Sequence, residues 1–249
     1  MDSQQLYEAM KAVVQDDKRL LVKEEDRYSY AFDASFGMYL PDLVVQPLSA
    51  EEVAALLRYA NEHHIPVTPR GHASSLSGGP LPVKGGIVLD MSHWKDQLTI
   101  DPDDMVAVVS PGVLTAQIDE AAKAYGLMYP PDPSSAHVST IGGNLAENSG
   151  GPRGLKYGVT KDYVLGLEVV TAEGSVIRTG GRTVKNVTGY DLTKLIVGSE
   201  GTLAVITEAT LRLVPRPQAS ETMTAVFADL ISAGKAITNF LTSGIIPAK

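Results

Sequence analysis

Between Thr68 and Gly79 the chain reads TPRGHASSLSGG, a stretch with three glycines, four serines or threonines, one arginine and no acid. Consecutive backbone N–H groups beside small hydroxyls are suited to holding an anion, above all a phosphate. Two more segments have a similar character. One runs from Tyr129-Pro-Pro-Asp-Pro-Ser-Ser through Ser139-Thr-Ile-Gly-Gly-Asn-Leu-Ala-Glu-Asn-Ser-Gly-Gly to Gly158. It is too long for a simple connection, and loops of that length usually carry function. Thr140 to Asn148 within it reads as a short helix whose N-terminal amides are expected to face a ligand. The other, Gly198-Ser-Glu-Gly-Thr-Leu-Ala-Val-Ile-Thr, sets small residues before a strand, where backbone can approach a flat ring closely.

Which phosphate compound is meant is narrowed by absences. The Walker pattern GxxxxGK[ST], the dinucleotide fingerprint GxGxxG and the nucleophile elbow GxSxG do not occur. There is no cysteine, so disulfides, thiolate catalysis and cysteine-ligated metals are excluded. The formal net charge is −8, from 21 basic and 29 acidic residues, which argues against nucleic acid and anionic membrane surfaces. No apolar run is long enough for a transmembrane segment, and the polar, acidic start is unlike a secretory signal, so the expected location is cytoplasmic. No His/Asp/Glu spacing suggests a metal.

The elements that must position these segments are legible in part. Ser3 to Gln15 has helical spacing at Leu6, Met10, Val13 and Val14, and Ser3 is placed to cap it. Residues 42–47 read as a strand. Ser49 with Glu52 reads as a capping box opening a helix with Val53, Leu56, Leu57 and Ala60 on its inner face. Strands are expected at 67–69, 86–91 and 105–109, and a helix at 115–125 that Gly126 ends. Val164 to Arg178 reads as a hairpin around Ala172-Glu-Gly-Ser, and 201–214 as a long strand. The first half therefore reads as α/β and the second as mainly antiparallel. Thr222 to Ala228, Asp229 to Leu241 and Gly244-Ile-Ile-Pro read as strand, helix and the start of a strand.

Taken together, PRGHASSLSGG, PPDPSS, TIGGNLAENSGG, KNVTGYDL and GSEGTLAVIT resemble the FAD-binding domain of the vanillyl-alcohol-oxidase-type flavoenzymes (the PCMH-type domain). The branch resembled is the FAD-linked subunit of glycolate oxidase with the FAD-linked D-2-hydroxyacid dehydrogenases. The match covers about residues 40 to 215 and rests on the joint order and spacing of the motifs. It implies an α+β fold with two subdomains, about 40–100 and 101–215. An N-terminal helical segment (1–39) would precede them, and the start of a C-terminal substrate domain (216–249) would follow. It also implies FAD as cofactor, glycolate or D-lactate as the kind of 2-hydroxy acid oxidised, and hydride transfer to flavin N5. A partner subunit or electron acceptor is a further implied partner.

Residue by residue, the resemblance gives the pyrophosphate to Pro69, Arg70, Gly71, His72, Ala73, Ser74, Ser75, Leu76 and Ser77. Pro133, Ser134, Ser135, Ser139, Thr140 and Gly143 would line the path to the ring. Glu147, Asn148, Ser149 and Gly150 would meet the ring side, and Glu200, Gly201, Thr202, Leu203 and Ile206 the adenine and ribose. The chain departs from the pattern at His72, where relatives often have glycine or alanine. Ser74 stands where some relatives tether FAD through histidine, which implies noncovalent binding. No catalytic base is assigned to this chain. A noncatalytic FAD-binding subunit and an FAD-dependent sugar-nucleotide reductase are the alternatives.

The remaining polar groups read plainly. His63 and His64 suit a helix end. His93, Trp94 and His137 read as packing or loop residues. Arg153 and Lys156 read as a solvated face, Lys185 and Tyr190 as structural, and Glu24-Glu25 and Asp103-Asp104 as surface charge.

Overall fold

The computed structural model describes residues 3–248. Helix α1 (Ser3–Lys11) buries Leu6 and Met10, and the following turn buries Val14. The chain then forms β1 (Leu20–Leu21), α2 (Glu24–Tyr28), β2 (Leu43–Val45), α3 (Ala50–Glu62), β3 (Val67–Arg70) and β4 (Ile87–Asp90). The four strands make one sheet in the order β1-β2-β4-β3, with β2, β4 and β3 parallel and β1 antiparallel at the edge. The LVV of β2 and the IVLD of β4 are buried throughout, as central parallel strands must be. The first 39 residues are thus not only helical; they also supply the edge strand.

The second sheet is antiparallel. It contains β5 (Leu98–Asp101), β6 (Val106–Val109), β8 (Val164–Thr171), β9 (Val176–Gly180) and β10 (Ala204–Arg212), in the order β5-β6-β10-β8-β9. The pair β7 (Leu127–Met128) and β11 (Val214–Pro215) stands beside it. Helices α4 (Thr115–Lys123), α5 (Ile141–Glu147), α6 (Gly154–Tyr157) and α7 (Leu192–Ile196) lie in its connections, and α8 (Leu230–Thr242) follows β11.

Two apolar cores meet on two shared strands. Val169 of β8 and Ala204 and Ile206 of β10 belong to the core of the second sheet. Their neighbours Val170 and Val205 join the core built by α3 and the first sheet. Alternate side chains of a strand point to opposite faces, so β8 and β10 are buried on both sides and join the halves. Arg58 of α3 adds a 2.8 Å hydrogen bond to the Gly174 carbonyl in the β8–β9 turn. The resulting architecture is the expected α+β fold with a parallel and an antiparallel part.

Several local readings needed correction. Ser49 accepts from the Glu52 amide as expected, but the Glu52 carboxylate accepts from the Leu48 amide at 2.8 Å, one residue earlier than a capping box requires. It also takes a two-pronged bond from Arg19, both prongs 2.7 Å. Residues 222–228 and 244–247 are not strands, because no sheet edge pairs with them. The helix between them forms, capped by Asp229, yet leaves Leu230, Ile231, Ile237, Phe240 and Leu241 exposed. Tyr190 is 95% exposed, so it does not pack the KNVTGYDL turn, and Val184 and Val187 are exposed beside it.

The Arg19–Glu52 pair fastens α3 to the segment before β1. Burial disfavours the Glu52 carboxylate, but Arg19 and the Leu48 amide outweigh it and hold the group below the usual carboxylate range. A lowered carboxylate stabilises the fold above its unfolded pKa and loses that contribution as pH falls through the folded value. Glu52→Gln is therefore expected to cost about 1–2 kcal/mol at pH 7. In denaturant melts the gap from the parent protein should close on acidification below the ordinary carboxylate range.

Candidate functional site

The loop between β3 and β4 is itself the crossover between two adjacent parallel strands, where a helix is more usual. Its two ends are fixed by sheet register, with Arg70 opposite Asp90. Asp33 accepts from the Gly78 amide at 3.1 Å, and the Ser75 carbonyl accepts from the Ala34 amide. The backbone N–H groups of residues 72–77 donate to no protein acceptor among the described residues. Ala73 has a left-handed φ of 52°, which turns the chain sharply inside the loop.

Behind the loop lies a buried polar network. Asp90, 1% exposed, accepts from Tyr30 Oη at 2.8 Å, from Gln46 Nε2 at 3.0 Å and from the Ser92 amide and hydroxyl. Burial pushes the Tyr30 phenol up, so it stays a donor at neutral pH. The Arg70 guanidinium stacks over the Tyr30 ring at 5.5 Å and leans toward the carbonyls of Ser29 and Tyr30. Burial lowers the Arg70 pKa and Asp90 opposes that effect, so the cation is held at the end of β3.

The three glycine- and hydroxyl-rich segments meet at one open cavity on the seam between the sheets. Gly71, Thr140 and Gly201 all line it. A Cβ on Gly71 would come within 2.2 Å of Thr140 Oγ1, so the first two segments touch backbone to side chain. Gly201, with φ +75°, would bring a Cβ to 3.2 Å from Pro69 Cγ, and this is how the third segment closes on the first. His72 Nδ1 lies 2.7 Å from the Val138 carbonyl, and Ser77 Oγ donates to Glu147 Oε1 at 2.9 Å.

Of the residues named from sequence, Pro69, Arg70, Gly71, His72, Ala73, Ser74 and Ser75 line this cavity. So do Ser135, Ser139, Thr140, Gly143, Glu147, Ser149, Glu200, Gly201 and Ile206. Thr202 and Leu203 line instead a neighbouring groove against α3. Leu76, Ser77, Pro133, Ser134, Asn148 and Gly150 lie off both. Leu76 is 77% exposed, and Asn148 ends α5 in a left-handed turn, its side chain accepting from the Lys161 amide. Their positions follow from the tight turns of these loops, which set neighbouring residues on opposite sides.

The α5 N-terminus does not offer free amides, contrary to the sequence expectation. Ile141 donates to Val113, Gly142 to Pro111 and Gly143 to Thr140 Oγ1. The helix presents a smooth glycine face instead. Met91 and Pro111 line the cavity unforeseen; they follow β4 and β6 in sequence and only the folded topology brings them there. His137 is exposed and off the cavity. Arg153 is not a solvated face, since it pairs with Asp132 at 3.2 Å.

Two features of the cavity wall leave polar groups unspent. Ser75 Oγ and Ser139 Oγ are buried without a hydrogen-bond partner among the described residues. Unpaired buried hydroxyls are uncommon and require an explanation. In addition, β6 pairs β10 only from Ala209 to Arg212, so the edge of Ala204–Ile206 away from β8 has no strand beside it. Free amides, orphaned hydroxyls and an open strand edge arranged along one cavity suit a long ligand with an anionic middle and a flat, hydrogen-bonding end. These donors fit a flavin adenine dinucleotide. Among the described residues no cluster suits a metal, and no helix is long and apolar enough to cross a membrane.

Comparison with known proteins agrees with this chemistry. The FAD binding domain family matches residues 41–180. The glycolate oxidase subunit GlcD of Bacillus subtilis is 48% identical over 223 residues, 89% of this chain and 47% of that protein. A D-lactate dehydrogenase of Archaeoglobus fulgidus is 48% identical over 76% of this chain and 43% of its own length. A solved alkyldihydroxyacetonephosphate synthase superposes with a TM-score of 0.84 at 28% identity, over 98% of this chain and 50% of that one. The chain spans about half the length of the curated relatives it matches. It belongs to the FAD binding domain family, and its two-sheet fold is the PCMH-type FAD-binding fold.

Proposed function

We propose that residues 40–215 hold FAD noncovalently along the seam cavity, as the flavin-binding part of an enzyme that oxidises a small 2-hydroxy acid. The observation that carries this reading is the run of unspent main-chain donors at residues 72–77, of which 72–75 line the cavity together with the unpaired hydroxyls of Ser75 and Ser139. When bound, FAD supplies the hydride acceptor, and the protein supplies position and environment. Residues 72–77 would take the diphosphate on their amides, and the two serine hydroxyls would donate to its oxygens. The unpaired edge of Ala204–Ile206 would hydrogen-bond the adenine. The glycine face of α5 and Glu147 would lie toward the flavin.

The 2-hydroxy-acid class rests on likeness to the glycolate oxidase subunit and D-lactate dehydrogenases. The exposed apolar residues of the 182–195 segment and of α8 suit coverage by further protein, whether another domain, a partner subunit or a second copy.

Titrating the apoprotein with FAD should give one site per chain, and denaturation should release the flavin intact. Gly71→Val drives a side chain into Thr140 and should weaken FAD at least about tenfold, a loss of about 1.4 kcal/mol, with circular dichroism unchanged. Ser139→Ala separates ligand from scaffold. Removing an unpaired buried hydroxyl should leave the apoprotein's melting unchanged or improved, while FAD affinity falls about two- to tenfold. Anaerobic bleaching of the loaded flavin by glycolate or D-lactate supports the substrate class, and bleaching by NADPH alone points to a reductase.

A further inference from the structure

We infer that His72 couples FAD binding to uptake of a proton, so that the protein holds its cofactor more tightly at acidic than at basic pH. This rests on the FAD reading of the cavity and adds a regulation of that site.

The geometry settles which nitrogen titrates. His72 Nδ1 lies 2.7 Å from the Val138 carbonyl. A carbonyl can only accept, so Nδ1 carries hydrogen in both charge states of the ring. Protonation therefore falls on Nε2, on a residue that lines the cavity beside the free amides. The hydrogen bond to Val138 also ties the exposed imidazole, and the loop with it, to the 135–140 segment.

The charges that line the cavity favour that proton once a dianion arrives. From β3, Arg70 contributes one positive charge, stacked on Tyr30 behind the loop. From α5, Glu147 contributes a negative charge, and from the 199–201 turn Glu200 contributes another. These two carboxylates converge near Gly79, whose Cβ would stand 3.2 Å from Glu200 Oε2 and 3.7 Å from Glu147 Oε1. Asp33 holds the far end of the loop, Asp90 lies behind Arg70, and His137 is exposed on the adjoining segment. The charged lining groups sum to −1 with His72 neutral, from one guanidinium and two carboxylates, and to zero with it protonated. A diphosphate carrying two negative charges is opposed by the first lining and not by the second.

A cation that gains an anionic partner binds its proton more firmly, so the contribution to affinity is complete at low pH and is lost as pH rises.

The test is the FAD dissociation constant from pH 5.5 to pH 8.5 for the parent protein and for His72→Gln, whose amide can still donate to Val138 without titrating. The parent's dissociation constant should rise about tenfold across the range, and the variant's should stay flat. Calorimetry of the parent in two buffers of different ionisation enthalpy, at pH 7, should give net uptake of a fraction of a proton per FAD; it needs no variant, so a misfolded His72→Gln leaves the test intact. Equal slopes in both proteins, or no proton uptake, overturn the coupling while leaving FAD binding standing. No FAD binding at any pH removes the cofactor reading and the coupling with it.

Discussion

The molecule is organised around a length of backbone that spends none of its N–H donors on the described residues of the protein. Residues 72–77 keep their amides free because the loop is fixed from outside itself. Parallel register between β3 and β4 sets its ends, Asp33 grips its far turn, and Thr140 meets Gly71 too closely for any side chain there. A flexible loop with so many unpaired donors would fold onto its own carbonyls. Held open, the donors are arranged before a ligand arrives, and binding then forfeits little conformational entropy.

Holding the loop open would be useless if the opposite wall could move. The interleaved cores prevent this. Val170 and Val205 pack with the first sheet while Val169, Ala204 and Ile206 pack with the second, so neither half can shift without exposing apolar surface in both. Where the three segments approach one another, Gly71, Gly142, Gly143 and Gly201 put no side chain into the seam. The Arg70–Tyr30–Asp90–Gln46 network stiffens the same end of the first sheet and keeps a buried cation at the base of the 71–79 loop.

Much of this was legible in the residues. The strands and helices with strong periodicity, α3 and the β8–β9 hairpin among them, stand where pattern put them. The three glycine- and hydroxyl-rich segments were visible because close backbone approach demands small residues. Other features depended on tertiary placement. The direction of the α5 amides could not be read, because their acceptors Pro111 and Val113 come from a turn thirty residues away. Met91 and Pro111 carry no local signal of a ligand wall. Strand β5, LTID, is only partly buried and lacks the apolar run that marks β2, β4 and β6. At the other extreme, residues 222–228 have the composition of a strand but no edge to join.

Main-chain recognition at residues 72–77 is tested most directly by amide hydrogen exchange, residue by residue, with and without FAD. Bound cofactor should slow exchange at the amides of 72–77 and along the open edge at Ala204–Ile206, while the amides of Ile141, Gly142 and Gly143, already bonded within the protein, change little. Saturation with FAD that leaves exchange at residues 72–77 as fast as before would contradict the account.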